Sequence, residues 1–134
     1  MGQPKRGPSA AVLVVDDDEA LCELLRFSFV DRGYAVAIAR NATEAIKIIE
    51  ANLDKIIPAL IDIRLPGEMD GIALCEELKK LDRATPILFI TASHDTFNLS
   101  SNHILTLWRE YFGEGNVDIL YKPFKEADLL GKVE

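Results

Sequence analysis

The sequence is poor in cysteine and histidine, and it has no long apolar run. It contains two cysteines and two histidines among 134 residues, and neither type has the spacing of zinc ligands. Cys22 and Cys75 stand alone in predicted helices, which favours free thiols over a disulfide. No apolar stretch approaches the ~18 residues that cross a bilayer, and the N-terminus has no signal-peptide pattern. These absences disfavour a zinc protein and a membrane protein, and they predict a cytoplasmic chain.

Positive charge is also in short supply. The chain has 15 Lys and Arg against 22 Asp and Glu, which gives a formal net charge of −7. Because nucleic-acid binding relies on Lys and Arg to neutralise phosphates, we expect no direct contact with nucleic acid. The surplus of carboxylates is compatible with a cation site or with a basic partner protein.

The chain alternates short apolar runs with helical patterns. Hydrophobic residues make up 49% of it, enough for the core of one domain. Residues 1–9, with several Gly and Pro, predict a flexible tail, and residues 10–134 predict a single domain. Apolar strands that alternate with helices indicate a doubly wound α/β fold, a parallel sheet with helices on both faces. The predicted strands are 10–15, 35–39, 58–61, 87–91 and 117–121, and the predicted helices are 19–32, one after Asn41, 72–81, one within 93–113, and 125–133.

Charged or hydroxyl side chains stand at the end of four predicted strands. Asp16 and Asp17 follow the first strand, and Asp62 follows the third. Thr91 ends the fourth strand, and Lys122 follows the fifth. Ligands of doubly wound sheets bind at the carboxyl ends of the strands. We therefore expect these five side chains to meet at one edge of the sheet.

This combination of residue types fits phosphoryl chemistry on a metal site. Clustered carboxylates repel one another, and a hard divalent cation such as Mg²⁺ removes the repulsion through oxygen ligands. Asp17 is predicted as a direct ligand, and Asp16 as a ligand either directly or through water. Asp62 would give one oxygen to the metal and use the other as a nucleophile toward a phosphoryl group. Lys122 would supply positive charge and Thr91 a hydroxyl donor to the phosphoryl oxygens.

Each of these residues also has a plainer interpretation. Acidic residues after a strand often stabilise the start of a helix, and Asp18 is predicted to cap the first helix. A single Asp62 would suit a turn, Thr91 a strand end, and Lys122 the solvent. The convergence of all the predicted site residues on the correct strand ends favours the functional interpretation.

Four motifs together resemble the response-regulator receiver domain of two-component signalling, from about residue 10 to the end of the chain. They are Val-Val-Asp-Asp-Asp at 14–18, Asp-Ile-Arg-Leu-Pro-Gly-Glu-Met-Asp-Gly at 62–71, Ile-Thr-Ala at 90–92 and Tyr-Lys-Pro-Phe at 121–124. The resemblance implies a flavodoxin-like sheet of five strands in the order 2-1-3-4-5. It also implies a signalling switch rather than an enzyme, one that assists its own phosphorylation and dephosphorylation.

The resemblance further implies a partner and a set of roles. A sensor histidine kinase or a phosphotransfer protein would donate the phosphoryl group to Asp62 in a Mg²⁺-dependent reaction. The backbone carbonyl of Arg64 would be the third protein ligand of the metal. The bond between Lys122 and Pro123 is usually cis in this family. Arg64 and Ala92 flank the site and are expected to tune the lifetime of the phosphorylated state.

The sequence departs from the family pattern in three places. Ile119 occupies a position that is often an aromatic switch residue, and Tyr121 is only a weak substitute. The loop after Asp62 is one residue longer than its commonest form. Thr91 and Lys122 are 31 positions apart, roughly nine more than usual, which would add roughly 13 Å if helical. We expect the extra residues in an enlarged segment around the fourth helix, residues 93–116.

Alternative functions remain open from the sequence. A pseudo-receiver would act as an interaction scaffold without phosphorylation, and a Mg²⁺-dependent phosphohydrolase or flavin carrier could use the same fold. Trp108, Tyr111 and Phe112 predict either a core stripe on the fourth helix or a partner surface. The second interpretation allows a homodimer through the side of the fourth helix and fifth strand. The sequence does not name the output partner.

Overall fold

The sheet of this protein is parallel and five-stranded. The computed structural model describes residues 11–52, 57–81, 85–91 and 117–133. The strands are β1 (Ala11–Val15), β2 (Ala35–Ala39), β3 (Ala59–Asp62), β4 (Ile87–Thr91) and β5 (Val117–Tyr121). Their order across the sheet is β2-β1-β3-β4-β5. The predicted fold class and strand order are therefore confirmed.

The strands pair in a register that aligns their carboxyl ends. Val15 is paired with Ala39 of β2 and with Ile61 of β3. At the other side of the sheet, Thr91 is paired with Tyr121. Because the strands run in the same direction, the residues that follow them lie along one edge, as the sequence predicts.

The described helices agree with the sequence patterns to within one residue at each predicted end. They are α1 (Glu19–Asp31), α2 (Ala42–Glu50), α3 (Gly71–Leu81) and a last helix (Glu126–Val133). The tail 1–9, Ala92 and the 93–116 segment with its aromatic cluster lie outside the described residues. Within the described ranges, no helix is long and apolar enough to cross a membrane.

The ends of α1 are set by local hydrogen bonds. Asp18 caps its start, since the carboxylate accepts the Leu21 N–H at 3.2 Å. At its end, Gly33 has φ of +95°, a left-handed conformation that glycine adopts without strain. The Tyr34 N–H then donates to the Phe29 carbonyl, and the two rings meet edge to face with centroids 5.3 Å apart. The predicted cap of this helix is confirmed.

The start of α2 uses a second cap. The Asn41 side chain accepts the Glu44 N–H at 2.9 Å, and the Glu44 carboxylate accepts the Arg40 N–H at 2.8 Å. The two side chains thus form a reciprocal pair, with Glu44 reaching one residue further back than in the ideal capping box.

Apolar side chains cover both faces of the sheet. On one face, β-strand residues pack with α2 and α3, whose buried members include Ile49, Leu74 and Leu78. On the other face, they pack with α1 and the last helix through Leu25, Phe29, Leu129 and Leu130. Within the described residues both faces carry apolar packing, and the predicted site residues lie at the carboxyl edge of the sheet.

The two cysteines are free, buried and on opposite faces of the sheet. Burial raises the pKa of Cys75 to about 12 and is also the largest cause of the raised pKa of Cys22. The native state therefore holds both thiol protons more tightly than the unfolded chain does. For Cys75 this contribution to stability is complete below pH 9.0, the ordinary thiol value, and is lost as the pH rises toward 12.

We expect both thiols to resist a disulfide reagent at pH 8 in the folded protein. Reaction requires opening of the structure, which costs about 5 kcal/mol or more, so it should be at least about 1000-fold slower than in denaturant. Absorbance of the released thiol dye measures both rates. Rapid labelling of a thiol in the native protein would contradict its burial.

Candidate functional site

Four strand ends bring the predicted site residues to one edge. Asp16 and Asp17 directly follow β1, Asp62 is the last residue of β3, and Lys122 directly follows β5. Ligand oxygens of Asp16, Asp17 and Asp62 all lie within 4.8 Å of one another. Thr91 is the last residue of β4, and the structure describes its backbone only. The structure thus brings three predicted carboxylates and the predicted lysine together.

Asp16 is the most firmly held of the carboxylates, with 2% of its surface exposed. Its Oδ1 accepts the Asp18 N–H at 2.9 Å, and its Oδ2 lies 3.2 Å from the Lys122 Nζ. Its backbone is fixed as well, because the Asp16 N–H donates to the Ala39 carbonyl and the Cys22 thiol donates to the Asp16 carbonyl. Both carboxylate oxygens of Asp16 therefore already have protein partners.

Asp62 sits beside the same lysine, with 12% of its side chain exposed. Its Oδ1 accepts the Arg64 N–H at 3.0 Å, and its Oδ2 lies 3.5 Å from the Lys122 Nζ. Burial raises the pKa of the Asp62 carboxyl, and the Asp16 charge adds to this. The Arg64 N–H and Lys122 oppose the rise without cancelling it. Asp62 therefore binds a proton more tightly than an ordinary carboxyl group.

Lys122 links the two buried carboxylates. Burial alone would lower the pKa of its ammonium group, but the charges of Asp16 and Asp62 outweigh burial and leave that pKa raised. The lysine therefore stays charged at neutral pH. The peptide bond between Lys122 and Pro123 is cis, as the resemblance implies, and the Pro123 ring is exposed.

Asp17 is the exposed member of the carboxylate cluster. Within the described part of the chain no side chain or N–H group bonds to its carboxylate, so its oxygens are available to a ligand. Three carboxylates within one small volume, one of them open to solvent, form a donor set that suits a hard divalent cation such as Mg²⁺. The ligand roles of Asp16, Asp17, Asp62 and the Arg64 carbonyl remain predictions.

The structure describes two of the residues near the predicted aromatic switch position, one aliphatic and one aromatic. Ile119 is partly buried and packs against the cluster on the α2 and α3 face. Tyr121 is half-buried and pairs in register with Thr91 on β4. Ala92 lies outside the described residues. An aliphatic side chain therefore occupies the predicted switch position, and the aromatic ring stands two residues later.

Gly71 is a site neighbour that belongs to the motif at 62–71 but received no role from the sequence. It is the first residue of α3, and its N–H donates to the Ile63 carbonyl at 2.9 Å. A glycine directly after Asp70, which caps α3 through the Ala73 N–H, was the available signal. Only the folded chain shows that this glycine lies against the backbone of Asp62.

Comparison with known proteins finds a matching family model and related regulatory proteins. A family model described as the response regulator receiver domain matches residues 12–134. YrkP, an uncharacterised transcriptional regulatory protein of Bacillus subtilis, is 33% identical over 122 residues, which are 91% of this chain and 47% of YrkP. PhoP, the alkaline phosphatase synthesis transcriptional regulatory protein of Bacillus subtilis, is 32% identical over 92% of this chain and 46% of PhoP. The chain thus spans about half the length of these relatives.

A solved structure shows the same architecture. The crystal structure of a two-component response regulator from Clostridium difficile is 26% identical, with a TM-score of 0.74 and coverage of 93% of both chains. The sheet order and the acidic edge define a doubly wound α/β domain with a cluster of carboxylates at the carboxyl ends of its strands. The chain belongs to the response-regulator receiver family, whose domains work in phosphorylation-based two-component signalling.

Proposed function

We propose that the chain is a phosphorylation-dependent switch that accepts a phosphoryl group on Asp62. The donor would be the phosphohistidine of a sensor histidine kinase or a phosphotransfer protein, and the reaction would require Mg²⁺ and take place in the cytoplasm. The observation that supports this most directly is the charged Lys122 between Asp16 and Asp62, beside the open carboxylate of Asp17.

The proposed transfer moves one phosphoryl group from nitrogen to oxygen. A carboxylate oxygen of Asp62 forms the new P–O bond while the P–N bond breaks, and the imidazole leaves with the electron pair. Lys122, whose Nζ lies 3.5 Å from the Asp62 Oδ2, would compensate charge on the transferred group. The Thr91 hydroxyl would donate to a phosphoryl oxygen. Mg²⁺, held by Asp16, Asp17, Asp62 and the Arg64 carbonyl, would neutralise further charge.

The test uses the purified chain and a small phosphoryl donor. Incubation with acetyl phosphate and Mg²⁺ should add the mass of one phosphoryl group, and EDTA should prevent the addition. Intact mass spectrometry reads both samples. Absence of any adduct, with beryllofluoride binding also absent, would reject the switch and favour the scaffold.

The scaffold alternative has one specific observation in its favour. Ile119 occupies the predicted switch position, and it packs against the core as a partly buried aliphatic side chain rather than offering an aromatic ring. A chain that takes no phosphoryl group and shows no change in its amide spectrum after treatment with acetyl phosphate and Mg²⁺ would fit the scaffold. Spread of the changes to β4 and β5 would fit the switch.

The net charge of the chain indicates which kind of partner the proposed switch binds. The net charge of −7 favours a basic protein partner over direct contact with nucleic acid. The output partner is proposed only as a protein. A homodimer through the side of the fourth helix and β5 stays a prediction, since residues 93–116 are outside the described part.

Replacing Lys122 by Gln should slow phosphorylation by about 100-fold, because it removes a preorganised positive charge from the site. The time course of adduct formation with acetyl phosphate and Mg²⁺ measures the rate. Lys132→Gln is the matched control, since Lys132 pairs with Asp118 on the surface at 3.0 Å. Equal rates in the two variants would show that Lys122 does not act on the phosphoryl group.

A further inference from the structure

We infer that Gly71 is a positioning residue of the phosphoacceptor site, because only a residue without a side chain lets α3 begin against the backbone of Asp62. The inference rests on the proposed function of Asp62 and assigns a role to a residue of the neighbouring helix. The proposed role is to position the backbone of Asp62, since Gly71 contributes no atom to the reaction.

The contact between Gly71 and the end of β3 is backbone against backbone. A Cβ atom at Gly71 would overlap the carbonyl oxygen of Asp62 and lie 2.8 Å from the Ile63 Cα. Backbone atoms cannot turn aside as the end of a flexible side chain can, so the strand end or the helix would have to move. Gly71 has no positive φ, so close approach rather than conformational freedom requires the glycine.

Two hydrogen bonds connect the Gly71 contact to the Asp62 carboxylate. Gly71 donates to the Ile63 carbonyl at 2.9 Å, which fixes the residue between Asp62 and Arg64. The Arg64 N–H in turn holds the Asp62 Oδ1 at 3.0 Å. A shift at Ile63 would therefore move both the hydrogen bond on Asp62 and the Arg64 carbonyl proposed to bind Mg²⁺.

The position of α3 itself is set beside this contact. The Asp70 carboxylate accepts the Ala73 N–H at 2.9 Å and so caps the first turn of the helix. The cap and the Gly71 contact together attach α3 to the end of β3. The geometry of the acceptor site thus depends on a helix that carries none of its ligands.

Gly131 provides a matched control for substitution by alanine. It lies within the last helix, and a Cβ there would meet nothing within 4 Å. Gly71→Ala and Gly131→Ala make the same chemical change at a crowded and at an open position. Ile49→Ala adds a variant that loses buried contacts on α2, a helix that carries none of the predicted site residues.

Three readouts separate positioning from general stability. They are the Arg64 amide signal of the metal-free protein in NMR, the Mg²⁺ affinity by titration calorimetry, and the rate of adduct formation with acetyl phosphate. We expect Gly71→Ala to shift the Arg64 signal and to weaken Mg²⁺ binding and slow the reaction by about 10- to 100-fold. Gly131→Ala and Ile49→Ala should match the wild type in all three.

Wild-type affinity and rate in Gly71→Ala would overturn the inference, as would equal losses in Ile49→Ala. If Gly71→Ala does not fold, Asp70→Ala tests the same attachment by removing the cap without adding atoms. It should lose Mg²⁺ affinity several-fold, whereas Asp70→Asn, which can still cap, should keep it. Full affinity in Asp70→Ala would then overturn the inference.

Failure of the proposed function gives a different pattern. If the wild type itself binds no Mg²⁺ and accepts no phosphoryl group, the function of Asp62 is rejected. The Arg64 signal of the metal-free variants still decides whether Gly71 positions the end of β3. An unshifted signal in Gly71→Ala would overturn the inference in that case too.

Discussion

Asp62→Asn is expected to accept no phosphoryl group under any condition in which the wild type is fully modified. The substitution leaves the shape of the side chain almost unchanged, but an amide oxygen is not a nucleophile that can hold a phosphoryl group. Intact mass spectrometry after incubation with acetyl phosphate and Mg²⁺ measures the result. The matched control is Asp118→Asn, which removes a carboxylate that pairs with Lys132 on the surface.

The same variant should be more stable than the wild type when no metal is present. Burial raises the pKa of Asp62, so the native state holds its proton more tightly than the unfolded chain does. Ionisation of Asp62 therefore lowers stability as the pH rises above 3.8, the ordinary carboxyl value. Because Asn cannot ionise, the gain in melting temperature in EDTA should be small near pH 4 and larger at pH 7.

Two results would contradict this account of Asp62. A phosphoryl adduct on Asp62→Asn, located by peptide mapping, would place the acceptor on another residue. A metal-free variant that melts below the wild type at pH 7 would mean that the bonds from Lys122 and the Arg64 N–H outweigh the cost of burying the charge.

The sequence was sufficient to predict which strand ends carry the site. The prediction needed only the apolar runs, the parallel order of the strands and the residues that follow them. Asp16, Asp17, Asp62 and Lys122 meet because parallel strands put their carboxyl ends at one edge, whatever the details of packing. The predicted bounds of β2, β4 and β5 match those of the structure, because each run is short, largely apolar and clearly ended.

The hydrogen-bond partners of the site side chains could not be predicted from the sequence in the same way. Lys122 lies closer to Asp16 than to Asp62, and both oxygens of Asp16 are already bonded within the protein. These facts depend on side-chain rotamers and on the depth of each group below the surface. The close contact of Gly71 likewise depends on where α3 docks, which a one-dimensional pattern does not contain.

Helical periodicity was also an incomplete guide to burial. Leu24 shares the apolar pattern of α1 with Leu25 and Phe29, yet it is exposed, and Phe27 beside it is 73% exposed. Conversely, Lys79 on α3 is fully buried, and its ammonium donates to the Thr85 carbonyl. An amphipathic pattern identifies the inward face, but neighbouring elements decide how wide that face is.

Asp17→Asn should abolish measurable Mg²⁺ binding and leave the metal-free protein as stable as the wild type or more so. Asp17 is the exposed carboxylate of the cluster and holds no hydrogen bond within the described ranges, so the fold does not need its charge. Its oxygens lie within 4.8 Å of those of Asp16 and Asp62, and their repulsion is relieved when one charge is removed. Calorimetric Mg²⁺ titration and thermal melting in EDTA measure the two effects.

Asp16→Ala should behave differently from Asp17→Asn, because the folded structure depends on the buried Asp16 carboxylate. Asp16 is buried, and the variant would leave the Asp18 N–H and one side of the Lys122 ammonium without their partner. Breaking such a pair should lower the metal-free free energy of unfolding by about 3 kcal/mol. If Asp17→Asn lost as much metal-free stability as Asp16→Ala, Asp17 would be part of the structural framework. The open carboxylate would then not be the place where the cation enters.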